Sequence, residues 1–139
     1  MEKLILRDVS VTVDSTDLTD AARSVTIDTS ADEVDVTAFG GDGWREFEPG
    51  LHAGTIEVEF YQGFDASGVH ATLWPLSETN EAFTLAIGPK GATAAADNPI
   101  FTGTVKLFSY RFLQGEVGAA STNPVTFRLT GAPTLDVTP

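Results

Sequence analysis

Apolar and polar residues alternate with a period of two through most of this chain, and this pattern constrains its fold more than any other feature. The alternation is clearest at residues 56–61, which read Ile-Glu-Val-Glu-Phe-Tyr. Because successive side chains of a strand point to opposite faces of a sheet, one face of this segment must be core, and the other must carry two carboxylates and a phenol. The chain is therefore expected to consist mainly of half-buried strands.

The same alternation predicts further strands on both sides of that segment. It indicates one long strand at 3–13, with a bulge or bend near Arg7 and Asp8, and another at 100–112. Residues 25–28 and 34–36 form either two strands or one interrupted strand. Shorter strands are predicted at 83–87, 125–129 and 135–137.

One helix of about ten residues is predicted between the strands. It follows Asp65 and its helix-starting neighbours, has Val69 and Leu73 at helical spacing, and is expected to end at Pro75. Seven or eight short strands with one flanking α-helix are typical of a mainly β fold, a β-sandwich or small barrel. The 139 residues are expected to form a single domain, residues 1–139, with a core that needs no disulfide or metal.

A long hairpin loop precedes the strand at 56–61. Residues 38–50 contain four glycines and a proline, and most hairpin loops are far shorter. A compact domain keeps such a loop when something outside the domain uses it. Phe39, Trp44 and Phe47 either fold back onto their own domain or anchor a protein interface, and the glycines favour a loop that projects.

The charge of the chain is strongly negative and unevenly spread. Eight basic and twenty acidic residues give a formal net charge of -12, and residues 1–65 hold fifteen of the acids and four of the bases. This balance argues against a protein that grips a phosphate backbone, which requires clustered Lys and Arg. The apolar run Leu4–Leu6 is too short for a signal peptide and no run reaches membrane-spanning length, so cytosolic synthesis is expected.

Nothing in the sequence predicts an enzyme, a cofactor or a metal site. There is no cysteine, and neither His52 nor His70 lies at a ligand's spacing from another ligand. The glycine cluster at 40–43 is followed by Trp-Arg and lacks the Lys-Ser or Lys-Thr of a phosphate loop. Glu57 and Glu59, two residues apart on a strand, fit a charged stripe better than a glycosidase pair.

Several motifs resemble the major tail tube proteins of long-tailed bacteriophages. Residues 35–40 read Asp-Val-Thr-Ala-Phe-Gly and residues 49–54 read Pro-Gly-Leu-His-Ala-Gly; in that family, similar D-x-T-x-F-G and G-L-x-x-G motifs flank a long hairpin loop. The segments Asn-Pro-Ile-Phe-Thr-Gly at 98–103, Gly-Glu-Val-Gly at 115–118 and Val-Thr-Phe-Arg-Leu-Thr-Gly at 125–131 are also similar. The resemblance covers nearly the whole chain, and none of its motifs is catalytic.

The resemblance implies a structural protein of the virion tail, made in the host cytoplasm, that forms hexameric rings stacked into a tube. Double-stranded DNA would pass through the lumen without specific binding, and the tape measure, terminator and distal tail proteins would be partners. Strands of neighbouring copies would close an inner barrel. An acidic wall would keep the duplex away by repulsion that acts within roughly 8 Å at physiological salt.

Two sets of residues would carry this function. Contacts with neighbouring subunits or rings are expected from the loop residues Phe39, Asp42, Trp44, Arg45, Phe47 and Leu51, and the expected lumen-facing acids are Asp35, Glu57 and Glu59. Two other functions stay open. One is a β-sandwich module that binds sugar or a cell surface through Trp44, Trp74 and Tyr61, and the other is a different tail ring, such as a terminator or baseplate component.

Overall fold

Eight strands form one antiparallel sheet in the computed structural model, which describes residues 3–40, 43–66 and 68–137. The sheet order is β2-β1-β5-β6-β7-β4-β3, and β8 also pairs with β6. The predicted mainly β fold with one helix is confirmed. The elements are β1 (Ser10–Val13), β2 (Thr16–Asp17), a 3-10 turn (Thr19–Ala21), β3 (Ala22–Asp35), β4 (Phe47–Tyr61), α1 (Val69–Thr79), β5 (Phe83–Gly88), β6 (Ile100–Leu107), β7 (Thr122–Leu129) and β8 (Thr134–Asp136).

One face of the sheet and helix α1 enclose a single apolar core. The alternation in β4 places Ile56, Val58 and Phe60 in this core and leaves Glu57 exposed, as predicted. Strands β1, β5, β6 and β7 contribute alternate residues in the same way, and burial of each large aliphatic side chain stabilises the fold by about 1.5–3 kcal/mol. The fully buried residues are Val11, Val13, Ile56, Val58, Phe60, Val69, Leu73, Leu85, Val105, Leu107, Val125 and Phe127.

Two of the predicted strands are shorter than the sequence pattern indicated. Only Ser10–Val13 of the predicted strand at 3–13 forms a ladder, and residues 3–9 have no strand partner. The strand predicted at 100–112 ends at Leu107. Beyond that point the chain turns toward α1, where the backbone oxygen of Phe112 accepts a hydrogen bond from Gln62 Nε2 at 2.6 Å instead of from a neighbouring strand.

The predicted helix is present, but the prediction that Pro75 ends it is wrong. Pro75 lies inside α1, which continues to Thr79. The proline removes one backbone donor, and burial of Val69 and Leu73 in the core supports the helix around it, because a short helix is stabilised mainly by the face that it packs. The helix ends at Asn80, whose φ of 56° is left-handed and whose Nδ2 donates to the Leu107 oxygen at 2.7 Å.

Residues 25–28 and 34–36 belong to one long strand rather than two, up to Asp35. Strand β3 pairs with β4 from Ala22 opposite Phe60 to Asp35 opposite Phe47, with register shifts between Ala22 and Ser24 and between Ala31 and Glu33. The loop predicted at 38–50 is therefore shorter, because Phe47 already begins β4. Pro49 is tolerated inside β4 because β7 pairs only with residues 55–61, which leaves the outer edge of β4 unpaired at this point.

Candidate assembly surfaces

The distal half of the β3–β4 hairpin, residues 28–53, projects beyond the core and is called the arm below. The last core-facing pair of the hairpin is Ile27 opposite Ile56. Beyond it the ladder continues, but every described residue from 28 to 53 is exposed except Gly50. A two-stranded ribbon without a packed face is at best marginally stable in water. The arm therefore has the form of an element that gains support from outside its own domain.

The tip of the arm carries large apolar side chains in water. Phe39 is fully exposed, Trp44 is 81% exposed, and Phe47 and Arg45 are also exposed. Leu51 is 80% exposed, but it lies further down the arm, between the positions that pair with Ala31 and Glu33. Asp42, the remaining predicted interface residue, lies outside the described residues. The structure thus brings the predicted interface residues that it describes onto one projecting element. Their role in an interface stays a prediction.

The backbone at the tip is held by a small set of hydrogen bonds. The Val36 N–H donates to the Glu46 oxygen at 2.9 Å, and the Glu46 N–H donates to Thr37 Oγ1 at 2.8 Å. Gly40 and Gly43 have φ values of 97° and 85°, which side chains rarely adopt. These contacts close the tip without using its aromatic rings, so that the rings stay free for a partner.

Asp35 lies at the base of the tip and is separated from the other two predicted lumen acids. The Thr37 N–H donates to Asp35 Oδ1 at 2.9 Å, and hydrogen bonding from Thr37 lowers the pKa of Asp35. Thr26 lies nine positions before Asp35 on the same strand β3, and it pairs with Glu57 on β4. Because side chains alternate along a strand, Asp35 points to the opposite side of the hairpin from Glu57.

Glu57 and Glu59 share the face of the sheet that points away from the core, called the open face below. Glu59 lies 3.7 Å from the Arg23 guanidinium, which also sits 5.7 Å from the ring centre of Tyr61. Glu57 is exposed and lies between Thr26 on β3 and Thr126 on β7. The sequence prediction that both acids point away from the core is confirmed, and Glu59 forms an ion pair with Arg23.

The open face also carries a basic pair that the sequence prediction missed. Lys106 on β6 stands directly opposite Arg128 on β7. In the same row across the sheet, Arg128 is followed by Thr55 on β4 and Asp28 on β3. The open face is thus basic on one side and acidic on the other. The signal was present in the sequence, since both bases flank core residues in the alternating pattern.

A groove of about 650 Å³ lies at the root of the arm. Its walls are residues 29–31 of β3, residues 52–54 of β4 and the β7–β8 connection at 129–133. Leu129 forms the floor, because its side chain fits against Gly54 on β4 and against Gly103 on β6, where a Cβ would lie 2.5 Å from Leu129 Cδ2. We call this the root groove. Its lining contains no Asp, Glu, Lys or Arg.

Five rings gather beside α1 in a cluster that the sequence prediction also missed. His70 lies within 6 Å of the ring centres of Phe64, Trp74, Tyr110 and Phe112. The Tyr110 hydroxyl is 3.1 Å from His70 Nδ1 and accepts from Gln62 Nε2 at 3.0 Å. Burial raises the pKa of Tyr110, and the bond from Gln62 opposes this shift.

The arrangement does not favour the sugar-binding alternative. Trp44 is on the arm, Trp74 is in the cluster beside α1, and Tyr61 lies by Arg23 on the open face. Among the ring contacts of the described residues, none joins any two of these three. Within the same described ranges, no group of three or more His, Asp or Glu side chains could hold a metal ion, and no helix is long and apolar enough to cross a membrane.

Comparison with known proteins gives likeness in structure alone. No family model and no curated protein matches the sequence. Three similar solved structures are a chain of the virion of a native gene transfer agent particle (16% identity, TM-score 0.73, 92% of this chain and 95% of that chain), a chain of the tail of an empty gene transfer agent particle refined with C6 symmetry (18%, 0.66, 82% and 81%) and a chain of the SPP1 tail tube (14%, 0.74, 97% and 80%). The chain therefore has the fold of chains found in phage-like tails, as the resemblance implied.

Proposed function

We propose that this chain is the structural subunit of a phage-type tail tube, assembling as hexameric rings that stack into a conduit for double-stranded DNA. The observation that carries the proposal is the arm. It is a ribbon in which every described residue from 28 to 53 except Gly50 is exposed, and it ends in two exposed aromatic residues, Phe39 and Trp44. Such a ribbon costs conformational entropy and gains stability only by packing on another copy.

The free sheet edges support closure of a ring. Strand β3 ends the sheet on one side, and its outer edge has no ladder partner among the described residues. At the opposite end, β2 pairs with only Thr12 and Val13 of β1, and the segment before Ser10 has no ladder partner among the described residues. Pairing between unlike edges of neighbouring copies is a head-to-tail contact, which closes into a ring at a suitable angle. The C6 symmetry of the similar tail structure favours six copies.

The open face is the surface that would line the conduit. Glu57 and Glu59 form an acidic column on β4, while Arg23 offsets part of the charge of Glu59. Lys106 and Arg128 form a basic pair on β6 and β7. A duplex in the lumen would thus meet acidic and basic columns in turn. The additional carboxylates of the arm would make the net charge of the wall negative, so that it repels the phosphates. Weak contacts of both signs would let the genome pass without being held.

Electron microscopy of the purified 139-residue chain tests the proposal. We expect rings or filaments in negative stain at high protein concentration, because a stacking contact that does not close generates a tube. Trp44→Ala should abolish them, since a buried aromatic anchor typically contributes 2 kcal/mol or more to an interface, a factor of about 30 in affinity.

Trp44→Phe is the matched control and should retain most of the assembly, because it keeps an aromatic ring at the same position. Thermal unfolding of both variants should match the wild type, since Trp44 is exposed in the single chain. A chain that stays monomeric at every concentration contradicts the proposal. Isolated rings that never stack would instead identify a different tail ring, such as a terminator or baseplate component.

A further inference from the structure

The segment at residues 3–7 has no ladder partner among the described residues of its own copy, although Leu6 and Arg7 lie beside residues 22–25 of β3. It reads Lys-Leu-Ile-Leu-Arg. Leu4, Ile5 and Leu6 are 58%, 77% and 54% exposed, and no ladder forms before Ser10. Three consecutive exposed aliphatic residues are costly in water, so this segment has a reason to bind elsewhere.

The root groove offers the complementary surface. It is largely apolar, and it lies beside Thr29–Ala31 on the outer edge of β3, which has free backbone donors and acceptors. The sequence next to this part of the groove is acidic, with Asp28, Asp32 and Glu33 all exposed. An extended segment with apolar residues at its centre and a base at each end fits such a site by both shape and charge.

Charge also separates this occupant from the exposed aromatic residues of the arm tip. The arm tip carries Phe39 and Trp44, and around it lie three acids, Asp35, Glu46 and Glu48, against one base, Arg45. A tip inserted beside Asp28, Asp32 and Glu33 would bring like charges together in an interface, which disfavours the contact. Lys3 and Arg7, the residues next to the apolar centre of the segment, would instead bring opposite charges to the same acids, while Glu2 and Asp8 lie one position further out in the sequence.

We propose that residues Lys3–Arg7 of one copy add as a short strand to the outer edge of β3 of a second copy, with the leucines in the root groove and the two bases beside the arm acids. This inference rests on the proposed function. It names one contact through which the copies would assemble. The added strand would cover the free edge of β3 and support the arm at its root.

Cysteine cross-linking between assembled copies tests this contact, because the natural chain contains no cysteine. Three single variants, Leu4→Cys, Ile5→Cys and Leu6→Cys, are each mixed with Ala132→Cys, a residue of the groove wall. After assembly and mild oxidation, we expect a disulfide-linked dimer of the two variants for at least one position. Ala120→Cys, exposed and outside the groove lining, replaces Ala132→Cys as the matched control and should give several-fold less dimer.

Charge reversal gives an independent readout. Lys3→Glu with Arg7→Glu in the copy that carries the segment cysteine should reduce the cross-link several-fold. Asp32→Lys with Glu33→Lys in the partner that carries Ala132→Cys should restore it, since the opposite pairing is rebuilt. If neither pair of substitutions changes the yield of the disulfide-linked dimer, the proposed charge pairing is overturned.

The outcomes separate this inference from the proposed function. Rings or tubes that form without a cross-link above the control overturn the N-terminal contact and leave the tail-tube function standing. A chain that never assembles overturns both. The Leu6–Val9 segment of a copy lies beside Ala22–Val25 of its own β3, so a contact within one copy has to be tested as well. For this test, a single chain that carries both the segment cysteine and Ala132→Cys is oxidised at high dilution. An internal disulfide in that monomer overturns the contact between copies.

Discussion

Leu129 fills the space that a side chain at Gly54 would need, and the same leucine packs against Gly103 on the other side. The two glycines thus form a slot across β4 and β6 for a residue of β7. We expect Gly54→Ala to lower the free energy of unfolding by about 1–3 kcal/mol, because the added methyl forces Leu129 out of its position. Urea unfolding followed by circular dichroism measures this change.

Gly131→Ala is the matched control for this slot. A Cβ at Gly131 would meet no atom within 4 Å, and its φ is not in the left-handed region. Its free energy of unfolding should stay within about 0.5 kcal/mol of the wild type. The double variant Gly54→Ala with Leu129→Ala should not lose the sum of the two single effects, since the smaller residue removes the clash. Full additivity would contradict the slot.

Asn98 holds the loop between β5 and β6 in place. Its oxygen accepts from the Lys90 N–H at 2.8 Å, and its nitrogen donates to the oxygens of Gly91 and Thr93 at 3.1 and 2.7 Å. Because Asn98 is buried, Asn98→Ala removes three hydrogen bonds from a site that water does not readily reach, and we expect a loss of about 1–3 kcal/mol in the free energy of unfolding.

The neighbouring Asp97→Ala serves as the control for Asn98. It removes an exposed ion pair with Lys90 at 3.5 Å, and such pairs contribute about 1 kcal/mol or less. Thermal unfolding should rank Asn98→Ala well below Asp97→Ala in stability. Equal melting temperatures would show that the loop is held by something other than the Asn98 side chain.

Lys106 and Arg128 face each other as like charges on the open face. Like charges directly opposite on a sheet are destabilising, so Lys106→Glu should raise the free energy of unfolding by about 0.5–1 kcal/mol at low salt. Lys106→Gln, which removes the charge without reversing it, should lie between the wild type and Lys106→Glu. Salt near 0.5 M should bring the three proteins together, because it screens exposed charges. An unchanged ranking at high salt would argue for packing as the cause.

The Asp17 carboxylate provides a test of local electrostatics. It accepts hydrogen bonds from the hydroxyl and the N–H of Thr19, which lower its pKa from the usual 3.8. A carboxyl with a lowered pKa in the folded state stabilises the fold above its unfolded pKa, and this contribution is lost as the pH falls through the folded value. Thr19→Val should raise the pKa of Asp17 in a carboxyl-carbon NMR titration, whereas Thr16→Val should leave it unchanged.

The arm should be the least protected part of the sheet in a single copy. Amides of residues 28–35 should exchange with deuterium much faster than those of β5 and β6, because the arm has no packed face and the central strands do. On assembly, the same arm amides should become protected. If the arm amides of the monomer exchanged as slowly as those of β5 and β6, this would contradict the view that the arm needs a neighbouring copy.

The half-buried strands could be predicted from the sequence where apolar residues alternate strictly with polar ones. In β4 the alternation of Ile56, Val58 and Phe60 with Glu57 and Glu59 sufficed, because the core face of a strand is set by burial of its own side chains. The helix followed from Val69 and Leu73 for the same reason. The resemblance implied the fold that the similar tail structures share.

The tertiary structure alone decided which strand-like segments found a partner. Residues 4–6 are continuously apolar and residues 108–112 alternate, yet neither segment forms a strand, because a ladder needs a neighbour that the sequence pattern does not contain. The pairing of Lys106 with Arg128 and the packing of Leu129 on Gly54 likewise depend on register between distant strands. The sequence by itself determined which faces are apolar, and the fold determined which of them are covered in one copy and which, like the arm, remain open to another.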